Sequence, residues 1–199
     1  MQNIFKENES IKISSLRIKP DSWGCMAEGY YWSAKLLLEE IIQSESYQNK
    51  WVVFPILFNM RHYYELSLKD ILVNLGYIYD KDFLIQNHNL NDLIKEVEKR
   101  SADYYREHRD RLGYRLLVND ITETMNGIKH EMNVFIKHDN DSFAFRYPCT
   151  KKNIPSISEE VNFDCKLFSE SLEKCRKYLV GLSIELLCDD KNPIFENDK

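Results

Sequence analysis

Apolar residues recur at spacings of three and four along most of this chain, the pattern of helices that bury one face. A first helix is predicted from a cap at Asp21 or Ser22 to about Ser44, with Trp23, Met26, Tyr30, Ala34, Leu37, Leu38 and Ile41 inward. The stretch WVVFPILFNMRHYYELSLKDILVNLG, Trp51 to Gly76, predicts a long central helix. Pro55 suits its first turn and Gly76 the position just past its end. Asn89 or His88 would open a third helix, with Leu90, Leu93, Ile94 and Val97 as its apolar stripe. A fourth is predicted from about Val118 to His138, started by Asn119 or Asp120 and ended by the turn residues Asp139 to Asp141. A last helix opens at Asp164 or Ser169 and runs to about Cys188, with Leu167, Leu172, Cys175, Leu179, Leu182, Leu186 and Leu187 as its core stripe.

One segment changes period. Phe143, Phe145 and Tyr147 alternate with Ala144 and Arg146, which predicts a strand. Glu160 to Phe163 would be its return partner. The expectation is therefore an all-α, up-down bundle of about five helices with a small β-ribbon insertion near 143–163. Residues 1–20 read as an arm or short strand, 21–190 as one helical domain and 191–199 as a flexible tail.

The central helix breaks its own pattern. With Arg61 at 0° and an advance of about 100° per residue, Phe54, Leu57, Phe58, Leu68, Leu72 and Leu75 share one broad apolar sector. Asn59, Tyr63, Ser67, Asp70 and Asn74 lie opposite and predict a wet stripe. Yet Arg61, Glu65 and Lys69 fall at about 0°, 40° and 80°, inside the apolar sector, with His62 at its edge. Ionisable groups on a buried face are costly unless paired. Glu65 stands four residues from both Arg61 and Lys69 and can pair with either. Two readings stay open: a structural ion-pair network, or an anion or RNA-phosphate site with His62 available for proton transfer.

Composition narrows the classes. At 199 residues the chain can bury a real core, and 43% hydrophobic content is a globular value. A net charge of −5 argues against an overall basic nucleic-acid binder and leaves room for a local basic site. The run Arg100 to Arg111 reads as a solvated helix face or as a basic patch against a phosphate backbone. Five scattered cysteines without a Cys-x-x-Cys suggest reduced thiols. The start lacks the apolar run of a signal peptide, and no stretch reaches the ~18 apolar residues of a membrane span, so a cytoplasmic protein with no membrane partner is expected. His130-Glu131 lacks the second histidine of the zincin spacing, and no Gly-rich phosphate loop or Gly-x-Ser-x-Gly elbow occurs. Neither a metal nor a cofactor is expected.

The run FPILFNMRHYYELSLKDIL, the later HNLNDLIKEV and the segment SFAFRYP together resemble bacterial HEPN-like proteins over roughly residues 50–150. The resemblance implies a helical bundle, often homodimeric, with a role in RNA processing, toxin–antitoxin systems or phage defence, and in many members a metal-independent ribonuclease. It draws attention to His88 and Arg146, which sit in the resembling segments. The ribonuclease members carry Arg, four to six residues, then His. No pair here has that spacing; Arg100 and His108 come nearest, with seven residues between them. If this chain cleaves RNA it uses other groups: His62 as base, Arg61 as a catalytic cation, with Arg61, Lys69, His88 and Arg146 as phosphate contacts and Glu65 in ion pairing. The alternative is a non-enzymatic interaction module, a homodimer or a subunit of a larger complex, in which the Arg/Glu/Lys cluster is structural.

Overall fold

The computed structural model describes residues 23–44, 51–83, 86–108, 121–140, 142–147, 149–157 and 162–189. Among these residues five helices follow in order: α1 Trp23–Ser44, α2 Val53–Tyr79, α3 Leu90–Glu107, α4 Ile121–Asp139 and α5 Cys165–Leu187. The predicted arm, the tail and the starts of the first and fourth helices lie outside the described residues. Among the described residues no helix is long and apolar enough to cross a membrane. The cysteines that are described are free thiols.

Local chemistry accounts for several boundaries. The Asn89 side chain accepts the Asp92 amide at 3.0 Å and opens α3. Asp164 accepts the amides of Lys166 and Leu167 and opens α5. Gly76 does not end α2, as the sequence predicts; it lies inside the helix. Asp80 is the residue in the left-handed conformation, with φ 49°, and its amide reaches the carbonyls of Gly76 and Tyr77. Gly76 is needed for another reason: a Cβ there would stand 2.6 Å from the Lys81 carbonyl oxygen, where the chain turns back onto the helix.

The central helix packs against all four others. Its face therefore departs from the amphipathic expectation. Tyr63 and Asn74, predicted in a wet stripe, are buried, and Ser67 and Asp70 are half-buried. Asp70 is held there by bonds from neighbouring elements. Ser183 of α5 donates to Asp70 at 2.6 Å, and the Gly24 amide at the start of α1 also bonds that carboxylate. Phe54, predicted inward, is instead exposed. On α1 the buried set is Ala27, Tyr31, Ala34 and Leu38, so the inward face is turned from the predicted one and Met26 is left outside.

Contacts between helices fix their directions. Tyr31 meets Tyr63 and Trp23 meets Lys69, so α1 and α2 are antiparallel. Glu98 pairs with Lys129 while Leu90 bonds Asn140, so α3 and α4 are antiparallel; Phe135 meets Phe168 and Glu131 meets Ser171, so α4 and α5 are too. The alternation fails once. Arg61 bonds His88 near the start of α3, and Tyr79 bonds Glu107 at its end, so α2 and α3 run the same way. The chain leaving α2 at Asp80 must come back alongside it before α3 begins. That return is what carries His88 to the middle of α2.

The β-ribbon is absent among the described residues. Residues 143–147 form a helical turn instead, with the amides of Arg146 and Tyr147 donating to the Phe143 carbonyl. An isolated antiparallel bridge joins Cys149 and Pro155. The predicted return strand lies partly outside the described residues. The alternation of Phe143, Phe145 and Tyr147 was a short apolar run that either period can fit. The Asp139 carboxylate decides the matter by accepting the amides of Phe143 at 2.5 Å and Ala144 at 2.6 Å.

Candidate functional site

Four groups of the central cluster form one bonded chain. Arg61 is fully buried. Its Nη1 donates to Glu65 Oε2 at 2.8 Å, its Nε to the Asp139 carbonyl at 2.9 Å, and its Nη2 to the carbonyls of His88 and of Asn140, the latter at 2.9 Å. One guanidinium thus ties α2 to the end of α4 and to the loop before α3. Lys69, also buried, donates to Glu65 Oε1 at 2.8 Å, and its ammonium lies 5.6 Å from the centre of the Trp23 ring. Burial by itself would raise the Glu65 carboxyl. The Lys69 hydrogen bond, the Arg61 charge and the His88 hydrogen bond outweigh it and hold the group below its usual range.

His88 is the outward end of this chain. Its Nδ1 lies 2.7 Å from Glu65 Oε1, while its side chain is 65% exposed. Beside an ionised carboxylate Nδ1 must be the protonated nitrogen. In the neutral ring Nε2 then carries the lone pair, on the exposed side chain.

His62 stands one helical step away. Its ring meets Tyr30 edge-on at 4.9 Å and Phe58 at 4.4 Å. Its Nδ1 is buried without a hydrogen-bond partner. Burial pushes its imidazole below the ordinary value; Glu65 acts upward on it, and Arg146, Arg61 and His88 act downward. The exposed Arg146 places its guanidinium carbon 5.3 Å from the Phe58 ring centre and bonds Ser142 at 3.2 Å.

All six residues singled out in the sequence therefore gather at one place: Arg61, His62, Glu65, Lys69, His88 and Arg146. Their roles differ from those expected. Arg61 and Lys69 are sealed and bonded within the bundle, so neither can meet an RNA phosphate in this structure. His62, the expected base, is wedged between aromatic rings. The groups open to solvent are His88 and Arg146. Sequence reasoning missed Asp139 and Asn140, which take part through backbone carbonyls and so leave no residue-type signal. The predicted basic patch dissolves among the described residues. Arg100 pairs with Glu96 and lies over Phe83, Arg106 pairs with Asp103, and His108 is buried against Tyr104. Arg109 and Arg111 lie outside the described residues.

Fold and site together define an α-helical bundle with a carboxylate–histidine pair at the edge of a buried ionic cluster. No protein-family model, curated protein or solved structure matches the chain.

Proposed function

We propose that this is a HEPN-like protein of bacterial stress or phage defence that acts on RNA as a metal-independent ribonuclease, with His88 as its base. The observation that supports the reading is the exposed His88 ring held through Nδ1 by Glu65. In this mechanism neutral His88 takes the proton of a ribose 2′-hydroxyl at Nε2. The 2′-oxygen attacks the adjacent phosphorus, and the bond to the 5′-oxygen breaks. That oxygen leaves with a proton from water, which gives a 2′,3′-cyclic phosphate and a 5′-hydroxyl end, and the hydroxide so formed takes the proton back from the His88 imidazolium. Arg146 steadies the negative charge that builds on the phosphoryl oxygens. Glu65 orients His88 and stabilises the imidazolium; Arg61 and Lys69 keep Glu65 ionised and in place.

Purified protein should cleave single-stranded RNA in EDTA. His88→Ala should lower the rate by about 10²–10⁴-fold with the fold intact. Full activity in that variant would remove His88 from the mechanism.

A second reading is a non-enzymatic interaction module, a homodimer or a subunit of a larger complex. Two observations favour it. Arg61 is spent on holding three segments together. On α1, Met26, Trp32 and Leu36 are 49%, 50% and 62% exposed and form an apolar surface that a second copy could cover. Sedimentation distinguishes the readings: a dimer that Leu36→Glu converts to monomer, in a protein inert toward RNA, would support the module alone.

A further inference from the structure

The opposite end of α3 from His88 carries an unusual pair of acids. Glu185 and Asp189 lie one turn apart where α5 ends, 3% and 1% exposed. Tyr105 donates its hydroxyl to Glu185 Oε2, and Tyr104 donates to Asp189 Oδ2 at 2.8 Å. These two bonds span from α3 to α5. The other carboxylate oxygen of Glu185 is buried without a hydrogen-bond partner. Among the described residues, the groups around Glu185 offer it little stabilisation as an anion. From α3 come Tyr104, Tyr105, Glu107 and the buried His108, whose Nδ1 bonds the Tyr104 carbonyl at 2.8 Å. From α2 comes Tyr79, which donates to Glu107 at 3.0 Å and feels the charges of Asp103 and Asp189. Among the described residues no cation acts on Glu185. The C-terminal end of a helix is itself a region of negative potential.

We propose that Glu185 is the proton-sensitive element of a latch joining the C-terminal ends of α3 and α5. With a proton on Glu185 the carboxyl is neutral, its bare oxygen costs little, and the tyrosine bonds hold the seam shut. Without the proton, a charged oxygen is trapped at a buried position with no hydrogen-bond partner. Letting water reach it relieves that cost, and this requires the last turn of α3 to lift from α5. Burial raises the Glu185 carboxyl to about 7, against which the Tyr105 bond acts only partly. The seam is thus poised near neutral pH.

Amide hydrogen exchange followed by mass spectrometry tests this on the full chain, with intrinsic exchange rates corrected for pH. Protection of residues 101–108 should fall about tenfold between pH 6 and pH 8, the change in opening constant that release of one proton dictates. In Glu185→Gln, which cannot ionise, protection should stay level across the range. The same fall in both proteins, or no fall in the unaltered chain, overturns the proposal. Should Glu185→Gln not fold, the unaltered protein with ¹³C-labelled glutamate serves. One carboxyl resonance should titrate near neutral pH in step with the Tyr105 ring signals, and its absence would be equally decisive.

Discussion

Arg61 and His88 are joined by a hydrogen bond, yet their replacement should give opposite results. Arg61→Met leaves Glu65 short of a cation in a buried site and strips a donor from three backbone carbonyls. Breaking a buried pair from one side costs about 3–5 kcal/mol, which for a chain of this size lowers Tm by roughly 10 °C. His88 projects into solvent, so His88→Ala should change stability by no more than about 1 kcal/mol. Thermal unfolding of the two variants checks the division between structural and working residues. A stable Arg61→Met would contradict the tie assigned to it. The ionisable groups also set a pH profile. Glu65 is held below its ordinary value, so its contribution is present above the unfolded-state value near 4.5 and is lost in acid as pH falls through the folded one. Glu185 works in the opposite direction. Its folded value of about 7 lies above 4.5, so its contribution is full below 4.5 and is lost as pH rises through 7. Tm of the unaltered protein should therefore decline from pH 6 to pH 8, and Glu185→Gln should flatten that decline. A parallel decline in both would show that another group causes it.

At the scale of the element, two polar or small residues act on a neighbouring segment more than on their own helix. Asp70, in the middle of α2, accepts the Gly24 amide and so caps α1 from outside. Loss of a cap costs about 0.5–2 kcal/mol, and Asp70→Ala should fray the start of α1, read as faster amide exchange at residues 24–27. Gly76→Ala should improve helix propensity and still destabilise. Its Cβ would meet the Lys81 backbone carbonyl, which cannot swing aside as a side chain can. A raised Tm in that variant would mean the return of the chain after α2 is loosely held. Both residues were visible in the sequence and misread there. Periodicity places Asp70 in water and Gly76 at a helix end, because it records which positions are polar or small but not what stands opposite them. The caps at Asn89 and Asp164 were legible because a cap acts within three residues of itself.

For the whole molecule the same division holds. Five helices, a long central one among them, and the charged cluster within it follow from spacing alone, since burying an apolar face at the helical period constrains residues a turn apart. The gathering of His88 and Arg146 onto that cluster was suggested by resemblance and is placed by topology. Because α2 and α3 run the same way, the connection must come back along α2, and it ends with His88 beside Glu65. Three facts were settled only by tertiary structure. The central helix packs against all four others, segment 143–147 is a turn bound to Asp139, and the buried Arg61 is held by backbone carbonyls from distant parts of the chain. The physical reason is common to all three. Local pattern reports the polarity a position needs, whereas the partner that satisfies a buried charge is chosen by which distant segment packs against it, and a carbonyl partner has no residue type to betray it.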